Sequence, residues 1–103
     1  MTMKNQIHLA IQIVPLSSDK HPYFVIDKAI DLIHDAGFDH QVGPMETVIQ
    51  GPYEPLMELV KKIREVCFEG GADELVINLK IHTRKNGDIH WEEKNRNGEY
   101  PFP

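Results

Sequence analysis

The 103-residue sequence holds one cysteine, one tryptophan and few basic residues. A lone Cys67 has no partner for an internal disulfide, which fits a reducing compartment and makes the cytoplasm the expected location. No apolar run approaches the roughly 18 residues that a membrane span needs. Residues 1–6 carry one lysine and no apolar stretch, so no secretory signal is read there. Eleven Lys and Arg against 16 Asp and Glu leave a net charge of −5. That balance argues against nucleic acid, for which a basic stripe would supply most of the affinity, and it disfavours an anionic membrane surface. It tolerates a neutral or cationic small ligand, although mild acidity chiefly serves solubility.

What is present is ordinary for a globular chain: 41% hydrophobic and 26% charged residues, without low-complexity tracts. The length suits one domain over residues 1–103, with little room for a deep cleft inside one subunit.

Two hydrophobic periods alternate along the chain. Residues 6–14 repeat every second position, with Ile7, Leu9, Ile11 and Ile13 on one face and His8, Ala10 and Gln12 on the other. Pro15 is expected to end that strand, because it cannot donate to a sheet ladder. Ile26, Ala29, Ile30 and Ile33 recur at helical spacing near residues 21–36, between Pro22 at the start and Gly37 at the end. Short extended runs at 39–42 and 47–50 flank Gly43-Pro44-Met45, a hairpin with an irregular turn. The alternation in these two runs does not fix which face points inward. Leu56, Leu59, Val60, Ile63 and Cys67 mark a second helix opened by Glu54-Pro55 and closed by Gly70-Gly71. A last strand spans 74–83, with Leu75, Ile77, Leu79 and Ile81 on one face and Asn78, Lys80 and His82 on the other.

The order βαββαβ predicts an α+β, ferredoxin-like fold: a four-stranded antiparallel sheet with both helices on one face. The first strand would lie between the third and the fourth. Asn86-Gly87 is a hairpin signal, so a fifth strand through Ile89 and Trp91 could return along the fourth. The competing reading is an irregular or helical extension through residues 92–94, and residues 95–103 read as a loose terminus or an arm on a neighbouring subunit.

Three groups of residues carry a recognisable pattern. Asp27-x-x-Ile30 and Ala36-Gly37-Phe38 come first, followed by Gly43-Pro44-Met45-x-Thr47-x-Ile49-x-Gly51. Gly70-Gly71-Ala72-Asp73 and Asn78-Leu79-Lys80-Ile81-His82-x-Arg84 complete it. Over about residues 6–85 the chain resembles the small YkoF-like thiamine-binding family. Glu46 stands where that family usually has a small residue, His82-Thr83 replaces a more acidic pair, and the 84–103 tail has no clear counterpart. The resemblance implies non-enzymatic binding of thiamine or its hydroxymethylpyrimidine moiety by a homodimer or homotetramer. It implies no cofactor beyond that ligand, and it implies that Gly43, Pro44, Met45 and Thr47 shape the binding region with Ser17 and Ser18. The competing reading of that turn is a bend that packs Met45 into a subunit contact.

The sheet's second face makes a separate argument. If Ala10 opposes Lys80, then His8 opposes His82 and Gln12 opposes Asn78, with facing Cβ atoms about 5 Å apart. A carboxamide at Gln12 or Asn78 can match the donor and acceptors of an aminopyrimidine edge, and Trp91 could stack there beside His82. The alternative is a pair of cross-strand amides under water or another subunit.

No metal is expected, because His8, His82 and His90 lack the tight spacing of a ligand set. Nucleophilic chemistry has no support either: Ser17 and Ser18 lie in no serine elbow, and Cys67 reads as core. Two rivals to the binding protein remain. One is a structural or regulatory oligomer without a functional small-molecule site. The other is a small enzyme using His8 or His82 as general base.

Overall fold

A computed structural model describes residues 5–94. Along them run β1 (Gln6–Ser18), α1 (Pro22–Ala36), β2 (Asp39–Val42), β3 (Thr47–Pro52), α2 (Tyr53–Glu69), β4 (Ala72–His82) and the short α3 (Trp91–Lys94). The sheet order is β2-β3-β1-β4 and every pairing is antiparallel. This is the expected ferredoxin-like arrangement.

Parity along β1 organises the core. Ile7, Leu9 and Ile11 face the helices and are buried with Val25, Ala29 and Ile33 of α1 and with Leu56, Leu59, Ile63 and Cys67 of α2. Pairing of Leu9 with Ile49 and of Ile11 with Thr47 settles the open question about the hairpin: Thr47, Ile49 and Gly51 point inward. Gly51 must lack a side chain there, because a Cβ would come within 2.9 Å of the Phe38 ring. The expected register of β1 on β4 is also found, with His8 opposite His82, Ala10 opposite Lys80 and Gln12 opposite Asn78.

Pro15 does not end the first strand. Its pairing with β3 stops at Ile11, so beyond that point only β4 needs β1's backbone donors. One missing N–H is tolerated on such an open flank, and the strand continues to Ser18 through register shifts around Ser17.

The chain after β4 follows the second of the two expectations for it, an irregular stretch and then the short helix α3. Among the described residues no fifth strand forms along β4, and the arm expected of residues 95–103 lies outside them. Because β4 stops at His82, opposite His8, the space beside Gln6 is open, and residues 88–89 occupy it. The Ile89 N–H donates to the Gln6 carbonyl at 2.9 Å and the Gln6 N–H donates to Asp88 Oδ1 at 2.8 Å. Ile89 is fully buried, and α3 then lies against the sheet face opposite α1 and α2. Among the described residues no helix is long and apolar enough to cross a membrane.

Candidate functional site

Unequal strand lengths create a cleft. β1 runs seven residues beyond Ile11, its last partner on β3. Over that stretch its β3-side flank faces the turn between β2 and β3 instead of a strand. The stripe of α1 that covers the sheet leans over the same gap. The resulting cleft encloses about 300 Å³, at the small end of the roughly 300–1,000 Å³ typical of small-molecule sites. Ile26, Ile30 and Ile33 of α1 and Ile11 and Ile13 of β1 form its apolar walls, and residues 42–47 close one side.

Its polar groups are few and placed at different depths. Thr47 is buried and sits on the inward row opposite Ile11. Tyr23 and Met45 stand at the rim, 71% and 72% exposed. The Gly43 N–H donates to the Glu46 carbonyl at 2.9 Å to close the turn. A Cβ at Gly43 would approach that same oxygen to 2.8 Å, so the tight turn needs glycine. The Glu46 carboxylate, also at the cleft, pairs with Lys80 Nζ at 3.3 Å.

The structure therefore gathers Gln12, Gly43, Pro44, Met45 and Thr47 around one cleft. Ser17, Ser18 and Asn78 do not line it. Ser18 Oγ donates to the Gly71 carbonyl at 3.2 Å and accepts from the Lys20 N–H at 3.1 Å, tying the end of β1 to the start of β4. Asn78 Nδ2 donates to Gln12 Oε1 at 3.1 Å on the opposite sheet face. Gln12 thus lines the cleft at β1's open flank while its carboxamide oxygen serves the other side. Tyr23 and Val42 are lining residues that the sequence reading did not single out.

The opposite face is partly roofed. Trp91 stacks on His8 with ring centroids 4.4 Å apart. His8 Nε2 donates to Gln50 Oε1 at 2.8 Å, and the same oxygen accepts the Trp91 N–H at 3.1 Å. His8 is 2% exposed, so it is not presented to a substrate as a general base. Cys67 is likewise buried, and burial pushes its thiol pKa up, away from a reactive thiolate. Among the described residues no group of three or more His, Cys, Asp or Glu side chains is placed to hold a metal ion.

A bidentate clamp holds this roof: Arg84 Nη2 and Nη1 donate to the two Glu93 carboxylate oxygens at 2.6 and 3.2 Å. The Arg84 hydrogen bond, aided by the His90 N–H, holds the Glu93 pKa down to about 2 from an ordinary 4.5. A depressed carboxylate pKa stabilises the folded state fully above the unfolded value and loses that contribution as pH falls through the folded one. The sole tryptophan, Trp91, is therefore expected to show red-shifted emission between pH 4.5 and about 2. Glu93→Gln is expected to weaken the docking at neutral pH and to blunt that step. Tryptophan fluorescence beside far-UV circular dichroism checks both, and high salt should reduce the difference because the pair is exposed.

A second hollow, of about 710 Å³, lies between the start of α2 and the chain after β4. It is larger, but its polar lining is a mixture of Glu54, Glu58, Arg84 and Lys85, and the Arg84 guanidinium is already held by Glu93 and the Asp88 carbonyl. The cleft at the 42–47 turn combines apolar walls with a few placed polar groups, the composition expected of a small-molecule site.

Comparison with known proteins identifies the family. Residues 9–99 match the family model described as thiamine-binding protein, so the match extends past residue 85 into the tail. The chain is 40% identical over 80 residues to the UPF0045 protein CPE1503 of Clostridium perfringens, covering 78% of this chain and 84% of that protein. Its structure resembles a domain of unknown function, DUF77, from Bacillus cereus, with TM-score 0.83 and 33% identity over 87% of this chain and 86% of that one. It also resembles a Thermotoga maritima protein provisionally described as one of thiamine biosynthesis or salvage. That likeness has TM-score 0.78 and 32% identity, over 86% of this chain and 94% of that one.

Proposed function

The chain belongs to the thiamine-binding protein family, and from that premise we propose that it binds thiamine or its hydroxymethylpyrimidine moiety, without catalysis, in the cleft between α1 and the 42–47 turn. It does so as a cytoplasmic homo-oligomer, sequestering or delivering the ligand. The observation that carries this reading is the cleft's composition: isoleucine walls, a buried threonine hydroxyl and the open flank of β1. The walls suit the ring faces, while Thr47 and the strand edge supply donors and acceptors for the ring's polar edge. The carboxylate of Glu46 at the cleft suits the cationic thiazolium of thiamine.

Calorimetric titration with thiamine and with hydroxymethylpyrimidine tests the reading. Saturable heat with at least one of them is expected, and Thr47→Val should weaken binding about tenfold, the usual effect of leaving one polar partner unpaired. Asn78→Ala should leave affinity unchanged, because Asn78 lies outside the cleft. No heat with either ligand overturns the proposal. A loss confined to Asn78→Ala would move the site to the opposite sheet face.

A further inference from the structure

The geometry points to a metal site that the proposed function does not use: His34 and His40 take one divalent copper or nickel ion between them, in tetragonal coordination completed by water. Neither side chain lines the 42–47 cleft.

The two rings meet where α1 turns into β2. Gly37 ends α1 in the left-handed conformation, at φ 81°, and its N–H donates to the His34 carbonyl at 3.3 Å. Glycine adopts that conformation without steric cost, and the reversal lets β2 begin at Asp39. His40 pairs with Ile49 and so shares its parity on the helix side of the sheet. β2 is the edge strand, which leaves His40 half-buried, while His34 in the last turn of α1 is exposed. Solvent and ions therefore reach the pair.

Hydrogen bonding fixes which nitrogens are offered. His40 Nδ1 lies 2.8 Å from the Phe38 carbonyl oxygen. A carbonyl only accepts, so Nδ1 carries the proton and Nε2 of the neutral ring holds a lone pair. A backbone carbonyl behind one nitrogen is a common outer partner of a metal-bound imidazole, setting its tautomer and its orientation. His40 Nε2 lies 2.9 Å from His34 Nδ1. Without an ion, His34 donates across this contact. With one, the His34 proton sits on Nε2 of the same exposed ring, and Nδ1 becomes the second ligand.

The spacing selects the ion. The ring centroids stand 4.6 Å apart. Two imidazole nitrogens each about 2.0 Å from one ion, at a right angle, would lie about 2.8 Å apart with centroids about 4.5 Å apart. At the tetrahedral angle those separations would be about 3.3 and 5.1 Å. Both observed distances match the right angle, the geometry of Cu(II) and Ni(II) and not of zinc. Among the described residues no third His, Cys, Asp or Glu joins them. The neighbouring Asp39 carboxylate accepts instead from Gln50 Nε2 at 3.4 Å. Water fills the other positions, so the affinity falls below that of a closed site with three or four protein ligands.

Calorimetric titration of the full chain with nickel chloride, and with a copper(II) salt in a weakly coordinating buffer, reads the outcome. One ion per chain is expected. His34→Gln and His40→Gln should each weaken binding about tenfold or more, because one imidazole cannot chelate. Electron paramagnetic resonance of the copper form should show coupling to two equatorial nitrogens, falling to one in either variant. The ion should raise the thermal midpoint of wild type more than that of either variant, and circular dichroism checks that both are folded. His90→Gln should bind as wild type does. Absence of saturable heat up to millimolar ion overturns the inference. So does an affinity indifferent to both single changes, or one lost equally in His90→Gln.

Discussion

Ile26→Trp is expected to abolish detectable binding of hydroxymethylpyrimidine and thiamine while leaving the chain folded. Ile26 is half-buried on α1 and looks into the cleft with Ile30 and Ile33. An indole there fills a space of only about 300 Å³ from its apolar wall, so the ligand loses its room and not merely one contact. Overpacking a filled core costs about 1–3 kcal/mol, and a position beside an open cleft should fall at the low end. Calorimetric titration should lose its heat, whereas the thermal midpoint should move by only a few degrees. Retained affinity in a folded Ile26→Trp variant would place the ligand elsewhere.

Ile49→Ala is expected to be strongly destabilising, costing about 2–5 kcal/mol. Ile49 is fully buried opposite Leu9, where the central strand pair meets both helices. In a domain of about 100 residues each kcal/mol lowers the midpoint by roughly 4–8 °C. The loss should therefore be tens of degrees, or the folded state altogether. Val42→Ala, on the half-exposed rim of the cleft, should change stability by no more than about 0.5 kcal/mol. Denaturant unfolding of the two variants checks the contrast.

The fold was legible because the inward rows of β1 and β4 alternate cleanly. Once Ile7, Leu9, Ile11 and Ile13 share a face with Leu75, Ile77, Leu79 and Ile81, parity puts His8, Gln12, Asn78 and His82 together on the other face, and the pairing of Ala10 with Lys80 sets His8 against His82 and Gln12 against Asn78. What stayed hidden depends on where neighbouring strands stop. Pro15 reads as a terminator only if both flanks of β1 are paired, and β3 pairing ends at Ile11. The cleft follows from that same mismatch. Ile26 and Ile30 therefore read as core from their spacing, although they also wall an opening. Tyr23 and Val42 gave no signal, since neither lies in a motif or a buried period.

The tail shows the same limit. Asn86-Gly87 does turn the chain, with Gly87 at φ 153°, but the strand it should have joined ends too early to receive it. Gln50 was also missed. Its place on the same face as His8 was available from the pairing of the two strands, but its double role, accepting from His8 and from Trp91, required the route of residues 88–94.

Backbone amide chemical shifts, followed by heteronuclear NMR while hydroxymethylpyrimidine is added, test the central assignment most directly. Saturating changes are expected at Gln12, Ile13, Tyr23, Ile26 and residues 42–47, with Tyr53, Glu58 and Arg84 unmoved. Changes confined to Tyr53, Glu58 and Arg84, or to Asn78 and His82, or no changes at all, would contradict the placement of the ligand between α1 and the 42–47 turn.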